Sequence, residues 1–269
     1  MAIKVENLTF KYPDGRIGIK DLTLNIATGK KTAILGLNGS GKSTLLYHFN
    51  GMNMPQTGSV EILDMMLNDS NLKEIRRKVG FLFDYPDHQL FSTTTYLDIE
   101  FGLDNYNFPS EKKDTLIKSI ATKLDILDLL DKPPYQLSLG QKKKVAIAGI
   151  MVLEPDILVC DEPFSGLDYP SINFVIDILD KWTSQDKTIV FSTHDVNLAY
   201  EWADEIIIME KGSIIFSGNA QEVLQKKELY ELTELEKPYL LRLFENSDEK
   251  PINIEAAKFL IDKNIGGRK

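Results

Sequence analysis

Alternating apolar and polar residues predict two half-buried antiparallel strands near the start of the chain. The alternation runs through residues 3–12 and 21–26, and Pro13-Asp14-Gly15 between them has the composition of a turn. A later segment, 204–217, has the pattern of a hairpin that turns at Lys211-Gly212. The sequence therefore predicts antiparallel β-structure early and late in the chain.

Other apolar runs predict buried strands. Residues 31–36 and Val79–Phe83 are two of them, and Ile157–Cys160 and Thr188–Phe191 have the composition of parallel strands with both faces covered. Between the last two runs, apolar residues recur at helical spacing, at Ile172, Val175, Ile176, Leu179 and Trp182. Strand, helix and strand in this order predict an α/β fold with a parallel sheet and crossover helices.

The middle of the chain, roughly residues 86–153, is helical by pattern and predicts a helical insertion between sheet strands. Residues 145–153 are apolar nearly all round, which predicts a buried helix. One expected helix face consists of Leu116, Ile120, Leu124 and Leu127.

The chain becomes helical again after Gly218. A polar segment, Glu245–Lys250, separates a last helix from the one before it. The apolar face expected of this last helix consists of Ile252, Ala256, Phe259 and Leu260.

The composition is that of an ordinary globular protein, with 43% hydrophobic and 26% charged residues among 269. The net charge of −9 argues against DNA or an anionic bilayer as the main partner, because both require a basic face. The single cysteine, Cys160, fits a reducing cytosol. The N-terminus lacks the apolar core of a signal peptide, and no uncharged apolar run is long enough to span a membrane. We therefore expect any membrane role to come through a partner.

Gly36–Ser43 fits the phosphate-binding pattern G-x-x-x-x-G-K-[ST] between an apolar run and a helix start. Backbone N–H groups in such a loop face the phosphates, Lys42 reaches the β- and γ-phosphates, and Ser43 ligates Mg²⁺. The alternative, a chance glycine-rich turn, has a probability on the order of one in a hundred in a chain of this length. The motif therefore predicts a nucleotide site.

Asp161 and Glu162 follow a buried strand, where P-loop proteins hold the Mg²⁺ shell with an aspartate. Asp161 is expected in that role, and Glu162 is placed to orient or deprotonate the attacking water. Taken alone, the pair could equally cap a helix. His194 follows the next buried strand at the same sheet edge, where an imidazole could contact the γ-phosphate, although a lone histidine is usually structural.

Leu137–Gln141 opens the apolar helix at 145–153, and Ser138 with Gly140 at a helix N-terminus forms an anion site. Taken alone, Ser138 is only an N-cap. The following Lys142–Lys144 is expected to be a solvated helix start rather than a binding site.

This set of motifs resembles the ATP-binding subunits of ABC transporters over about residues 3–218. Gly36–Ser43 matches Walker A, Ile157–Glu162 resembles Walker B with its catalytic glutamate, and Leu137–Gln141 resembles the LSGGQ signature. Ser165–Asp168 matches the D-loop, and His194 the switch histidine. Tyr12 stands where this family stacks an aromatic ring on adenine.

The resemblance implies a P-loop NTPase (RecA-like) α/β fold with a mixed sheet, an antiparallel β subdomain, a helical insertion and a helical C-terminal extension. It implies ATP and Mg²⁺ as ligands, Glu162 and His194 as catalytic residues, and Ser43, Asp161 and Asp84 as metal ligands. It implies nucleotide contacts for Tyr12, Gly36, Leu37, Asn38, Gly39, Ser40, Gly41, Lys42, Ser43, Thr44, Ser138, Gly140, Gln141 and Asp168. In this family two subunits bind head to tail, and each ATP lies between Walker A of one and the signature of the other.

Within the family, two segments resemble the energy-coupling-factor (ECF) type. Phe83–Phe91 is similar to the pattern FQ-x-PD-x-Q-LF, and the residues after Gln141 are similar to the continuation QKKRVAIA. This resemblance implies import of a vitamin or a transition-metal ion by an ATPase pair, with a transmembrane coupling protein and a substrate-binding membrane protein. It implies no nucleic-acid partner and a peripheral position on the cytoplasmic face of the cell membrane. The expected domains are an ATP-binding domain at 1–218, with a helical subdomain at about 86–153, and an extension at 219–269 that contacts the partner ATPase.

Two residues depart from the family pattern. Asp84 replaces the glutamine of the Q-loop and adds a negative charge beside Asp161 and Glu162. It could ligate Mg²⁺ more strongly or lie too far back to reach it, and the sequence leaves both open. Leu139 replaces the first signature glycine, while Ser138 and Gly140 remain. Because Asp84 stands beside an otherwise intact catalytic set, we hypothesise that the chain is one half of an asymmetric ATPase pair.

The segment around Pro86 predicts a docking surface for the membrane partner. Its apolar and aromatic members are Phe83, Tyr85, Leu90 and Phe91. Phe83 could equally be ordinary core, whereas the other three favour a groove that accepts a coupling helix of the partner. Two other functions remain as alternatives: a soluble ABC ATPase of DNA repair or translation, and a nucleotide switch in which Asp84 has abolished turnover.

Overall fold

A computed structural model of the chain describes residues 1–266. Its strands are β1 (Ile3–Lys11), β2 (Ile17–Ile26), β3 (Lys31–Leu35), β4 (Thr57–Ile62), β5 (Met65–Met66), β6 (Val79–Leu82), β7 (Ile157–Cys160), β8 (Thr188–Thr193), β9 (Glu205–Glu210) and β10 (Ser213–Asn219). Its helices are α1 (Lys42–Phe49), α2 (Leu72–Lys78), α3 (Thr95–Asn105), α4 (Ser110–Lys123), α5 (Leu139–Met151), α6 (Tyr169–Thr183), α7 (Val196–Trp202), α8 (Ala220–Leu224), α9 (Lys227–Leu232), α10 (Tyr239–Leu243) and α11 (Ile254–Gly266). Short 3₁₀ turns lie at Pro86–His88, Leu127–Leu129 and Pro134–Gln136.

The smaller sheet is antiparallel, with the strand order β2-β1-β4-β5. Its first hairpin confirms the strands expected at 3–12 and 21–26 and the turn between them. β2 begins four residues earlier than its alternation predicts, because Ile17 and Ile19 pair with Lys11 and Phe10 of β1.

The larger sheet has the order β10-β9-β3-β8-β7-β6 and is parallel from β9 to β6, while β10 runs antiparallel to β9. Successive residues of its strands face two separate cores. Ala33 and Leu35 pack with the helical insertion and α6 to α8, while Ile34 packs with α1 and the smaller sheet. Both faces are covered, which explains the nearly continuous apolar runs in the sequence.

The parallel strands bring four loops together at one edge of the sheet. The carboxyl ends of β3, β8, β7 and β6 lie side by side there. The segments that follow these strands contain Lys42, His194, Asp161 and Asp84. The sheet topology therefore places every charged residue that the sequence nominated for phosphate chemistry along one edge.

Most of the predicted helices are confirmed, but the apolar face predicted for α4 is wrong at its last residue. α5 is buried nearly all round as expected, and Ile120 and Leu124 are buried on the side of α4. Leu127 is 51% exposed, because α4 ends at Lys123 and Asp125 takes a positive φ of 54°. Ile117, which the expected face omitted, is fully buried instead.

The last helix begins at Ile254 and buries Ala257, while Phe259 is 69% exposed. Its expected apolar face is therefore largely open in the single chain. Over residues 1–266, none of the helices combines the length and the apolarity that a membrane crossing requires.

Candidate nucleotide-binding site

The glycine-rich loop joins β3 to α1, at the centre of the larger sheet. β3 ends at the buried Leu35, and α1 begins at Lys42. Gly41 has a φ of 105°, and a Cβ atom at this position would lie 2.6 Å from the carbonyl oxygen of Gly18. Only glycine satisfies both constraints, so the main chain can turn its N–H groups toward the open side.

The ammonium of Lys42 is folded back onto the loop. Its Nζ atom donates to the carbonyl oxygens of Gly36 at 2.7 Å and Leu37 at 3.2 Å. Burial lowers the pKa of Lys42, while the nearby charges of Glu162 and Asp161 oppose this shift. A cation buried against neutral carbonyls is poised to accept an anionic phosphate.

Tyr12 follows β1 and is fixed beside the start of α1. Its hydroxyl lies 2.7 Å from Oγ1 of Thr44, and its ring meets that of Phe10 edge-on at 5.2 Å. The guanidinium of Arg16 lies 5.3 Å from the centroid of the Tyr12 ring. The predicted adenine-stacking residue is therefore held next to the phosphate loop.

Ser192 links the two acids at the end of β7. Its hydroxyl donates to Oδ1 of Asp161 at 2.6 Å and accepts from the main-chain N–H of Glu162 at 2.9 Å. Asp161 is 4% exposed. We did not predict Ser192, although the register contains the signal: Cys160 pairs with Phe191, so the next residues along both strands lie opposite one another.

His194 pairs directly with Glu162. Its Nδ1 atom lies 3.0 Å from Oε2 of Glu162, and its ring remains largely exposed. Glu162 itself has a φ of 43°, which is uncommon for a residue with a side chain and fits a functional turn. The candidate switch histidine, His194, and the candidate general base, Glu162, are therefore in direct contact within one chain.

Asp84 follows β6, which is the outermost strand at this edge of the larger sheet. Its carboxylate accepts a hydrogen bond from the main-chain N–H of Tyr85 at 2.7 Å and lies 3.6 Å from Nδ1 of His88. These contacts hold the carboxylate beside its own loop, where Asp84 also lines the cavity that contains Lys42. Whether Asp84 reaches a metal stays a prediction.

A cavity of about 610 Å³ brings most of the predicted residues together. Its lining comprises Tyr12, Arg16, Ile17, Gly18, Asn38, Gly39, Gly41, Lys42, Ser43, Thr44, Asp84, Asp161 and Glu162. A volume of this size suits a nucleotide. The hydroxyl of Ser43 and the carboxylates of Asp161 and Asp84 are the hard oxygen donors that Mg²⁺ prefers, so the residues fit this metal.

The signature residues lie elsewhere in the single chain. Ser138 and Gln141 form a reciprocal capping box at the start of α5. Asp168 caps α6 by accepting from the N–H of Ser171, whose side chain lies close to Gly140. Within the described residues 1–266, none of these four predicted contacts lines the cavity that contains Lys42.

A second cavity of about 530 Å³ adjoins the first. Leu139 lines it together with Glu162, His194 and Asp84. The departure from the signature glycine therefore places an apolar side chain near the candidate catalytic pair.

The lysine run after the signature is not the solvated helix start that its charge predicts. Lys143 has no exposed surface, and Lys142 and Lys144 are only partly exposed. Lys143 donates to the carbonyl oxygens of Phe83 at 3.2 Å and Asp84 at 2.7 Å. Sequence reasoning missed this contact because a run of three lysines normally indicates a solvent-facing surface.

Comparisons with known proteins agree with this geometry. Residues 19–165 match the family model described as ABC transporter. The energy-coupling factor transporter ATP-binding protein EcfA of Carboxydothermus hydrogenoformans is 40% identical over 98% of this chain and 99% of its own.

Solved structures give the same result. CbiO1 from Clostridium perfringens, described as part of the ABC transporter complex cbiONQ, has a TM-score of 0.76 at 36% identity, over 91% of this chain and 98% of its own. The ATP-binding cassette MJ0796, dimeric and bound to ADP and Pi, has a TM-score of 0.75 at 28% identity, over 81% of this chain and 99% of its own.

The fold is that of the ABC-type P-loop ATPases, and the chain belongs to the ATP-binding subunits of energy-coupling-factor transporters. It binds ATP with Mg²⁺ and hydrolyses it to ADP and phosphate. The relatives favour transport and give no support to the soluble ATPase or the nucleotide switch.

Proposed function

We propose that this chain is one of two cassettes that power uptake of a vitamin or a transition-metal ion on the cytoplasmic face of a membrane. The observation that carries the proposal is the separation of two half-sites. The cavity that contains Lys42 lacks signature residues from 137–141 among the described residues, and Ser138 at the start of α5 is exposed. A second cassette bound head to tail would place its own signature at this cavity. Ser138 of this chain would in turn lie at the nucleotide cavity of the second cassette.

Each residue of the proposed site has a chemical role. Lys42 and the amides at the start of α1 would hold the phosphates, and Tyr12 would stack on the adenine. Glu162, fixed by His194 and by the main-chain bond to Ser192, would take a proton from the attacking water. Mg²⁺, when bound by Ser43 and Asp161, would offset the phosphate charge.

The proposed second cassette is a paralogue rather than a copy. Asp84 supports this asymmetry, because it adds a carboxylate to a site that already contains Asp161 and Glu162. Like charges at close range disfavour one another, so we expect slower turnover at this chain's own site than at a site with glutamine in this position.

The proposed membrane partner would dock on an apolar patch beside the Q-loop. We define this aromatic patch as Tyr85, Phe91, Leu97 and Phe101, whose side chains are exposed by 61%, 66%, 42% and 47%. Phe91 and Phe101 meet edge-on at 4.9 Å. Phe83, in contrast, packs on Phe81 in the core, so it stands outside the patch. An apolar patch of this kind suits a coupling helix of the transmembrane coupling protein.

The C-terminal extension at 219–269 offers a further apolar surface. Leu243, Ile254 and Phe259 are exposed by 71%, 60% and 69% in the single chain. We propose that this surface contacts the second cassette and so holds the pair together while the nucleotide sites open.

The pairing is tested by mixing this chain, as Glu162→Gln, with a candidate paralogous cassette, and measuring mass by size exclusion. The substitution should slow hydrolysis and preserve the ATP-bound state. We expect a 1:1 complex with Mg·ATP that dissociates with Mg·ADP. ATP-dependent homodimers together with no complex between the two cassettes would contradict the asymmetric pair.

The docking surface is tested separately, with Phe91→Ser and the matched surface variant Leu127→Ser, which is 51% exposed and lies outside the aromatic patch. We expect Phe91→Ser to lose co-purification with the membrane subunits while it retains ATP binding. Equal loss by both variants would contradict the proposed docking position.

A further inference from the structure

Lys143 is a fully buried lysine on the helix that begins with the signature. Its ammonium lies against the main chain at the start of the Q-loop and donates to the carbonyl oxygens of Phe83 and Asp84. Its neighbours have different environments: Lys142 pairs with Asp87 at 2.6 Å, and Lys144 lies over the ring of Phe174 at 3.7 Å. Of these three lysines, Lys143 alone is sealed from solvent.

The charge of this ammonium lacks a direct counter-ion. Among residues 1–266, no carboxylate approaches Nζ of Lys143 within 4.0 Å. Burial lowers the pKa of Lys143, and the nearby Cys160, Asp84, Asp161 and Glu162 oppose this shift. Burial raises the pKa of Cys160 to about 12, so this thiol carries no charge at neutral pH. The negative charge near Lys143 therefore comes from the three carboxylates of the nucleotide site.

Further contacts fix the Q-loop on the same helix. Gln89 donates through Nε2 to the carbonyl oxygen of Ala146 at 3.1 Å, one turn after Lys143. Together with the pair between Lys142 and Asp87, these bonds join residues 83–89 to α5 at three successive points. The loop that carries Asp84 and the helix that carries Ser138 are thus connected as one unit.

We propose that Lys143 is a positioning residue that fixes the Asp84 main chain on α5 and supplies a positive charge close to the Asp84 carboxylate. The three carboxylates Asp84, Asp161 and Glu162 converge on one edge of the sheet, and the buried ammonium offsets part of their repulsion. This inference rests on the proposed function in one respect: it takes the cavity beside Asp84 to be the nucleotide site.

A double-mutant cycle tests the proposal in the nucleotide-free chain. The variants are Lys143→Met, Asp84→Asn and the combination, because methionine keeps the bulk without charge and asparagine keeps the shape without charge. The readout is hydrogen exchange at the amides of residues 85 and 87–90, together with the thermal midpoint. Lys144→Met is the matched control, because this lysine lies on the same helix but contacts Phe174 and Asp125, which are outside residues 83–89.

We expect Lys143→Met to accelerate exchange in this loop by about tenfold, and by clearly less when Asp84 is already asparagine. Lys144→Met should give the same small effect in both backgrounds. Unchanged exchange in Lys143→Met would overturn the positioning role, and an equal effect in both backgrounds would overturn the charge role.

Lys143→Arg provides a second test that does not depend on the stability of the methionine variant. Arginine retains the positive charge, so we expect loop exchange close to that of wild type, and a clear acceleration over wild type would contradict the proposal. Since the free chain is measured without nucleotide, these results are independent of pairing and of ATP turnover. A failure of the ATPase pair and a failure of this inference are therefore distinguishable.

Discussion

The Nδ1 atom of His194 lies 3.0 Å from the Oε2 atom of Glu162, so two residues that follow neighbouring strands form a direct pair. The pair fixes the Glu162 carboxylate at the edge where the γ-phosphate of ATP would lie. A general base that is already oriented loses less freedom when the attacking water arrives.

The first prediction concerns this pair. His194→Ala should lower kcat for ATP hydrolysis by about 10²-fold or more and leave the affinity for ATP nearly unchanged, because the imidazole orients the base. Phosphate release and equilibrium ATP binding, measured on the complex with the second cassette, check both expectations. The control is His88→Ala, which removes an exposed histidine outside the cavity that contains Lys42. A wild-type kcat in His194→Ala would contradict the assigned role.

The second prediction concerns Ser192, whose hydroxyl serves both Asp161 and Glu162. Ser192→Ala leaves a buried carboxylate oxygen without its donor, so the free energy of unfolding should fall by about 1–3 kcal/mol. Denaturant titration of the free chain measures this loss. Ser184→Ala, which removes an exposed hydroxyl at the end of α6, should change stability by less than about 0.5 kcal/mol. Equal effects of the two substitutions would show that the buried link is unimportant.

The third prediction is a pH dependence of stability that comes from His48. This side chain is fully buried in α1, with Nδ1 2.7 Å from the carbonyl oxygen of Thr44, and burial lowers its pKa below the ordinary histidine value of 6.5. Below pH 6.5 the unfolded chain therefore binds a proton that the folded chain does not, and stability is lost as pH falls.

His48→Leu should remove this dependence. Between pH 7.5 and 5.5, the wild type should lose stability with an additional slope of at most about 1.4 kcal/mol per pH unit relative to the variant. Denaturant midpoints at the two pH values give the comparison. Parallel pH profiles of wild type and variant would contradict the assignment.

The fourth prediction separates close packing from backbone conformation in the phosphate loop. Gly41 and Gly15 both have positive φ angles, of 105° and 88°. A Cβ atom on Gly41 would lie 2.6 Å from the carbonyl oxygen of Gly18, whereas one on Gly15 would have no atom within 4 Å. Gly41→Ala should therefore abolish ATP binding, while Gly15→Ala should retain it with a stability loss of about 1 kcal/mol. Isothermal titration with ATP tests this contrast, and equal ATP affinity in the two variants would refute it.

The sequence was sufficient for the residues that follow parallel strands. Lys42, Asp161 and His194 each come directly after or close to a buried apolar run, and the carboxyl ends of such runs meet at one sheet edge. Local pattern and general topology therefore locate them without any knowledge of the packing.

Other residues depend on tertiary contacts that local pattern does not encode. Lys143 is buried because the Q-loop folds over α5, and nothing in a run of three lysines distinguishes the middle one. Leu127 is exposed because α4 ends at Lys123, four residues before Leu127, and the chain turns at Asp125. Phe259 is exposed because α11 turns another face, at Ala257, toward the rest of the chain.

The central claim is that each ATP site of the pair is completed by the signature of the other cassette, so that Ser138 of this chain serves the ATP site of the second cassette. The most direct measurement compares Ser138→Arg with wild type for ATP binding by the isolated chain and for phosphate release by the pair, with Lys42→Ala as the binding-deficient control. Lys42→Ala should weaken binding by about 10- to 100-fold, because a charged hydrogen-bond donor to phosphate is lost. The account predicts that Ser138→Arg binds ATP like wild type when isolated but lowers phosphate release in the pair. Impaired ATP binding by isolated Ser138→Arg, or undiminished phosphate release by its pair, would contradict the claim.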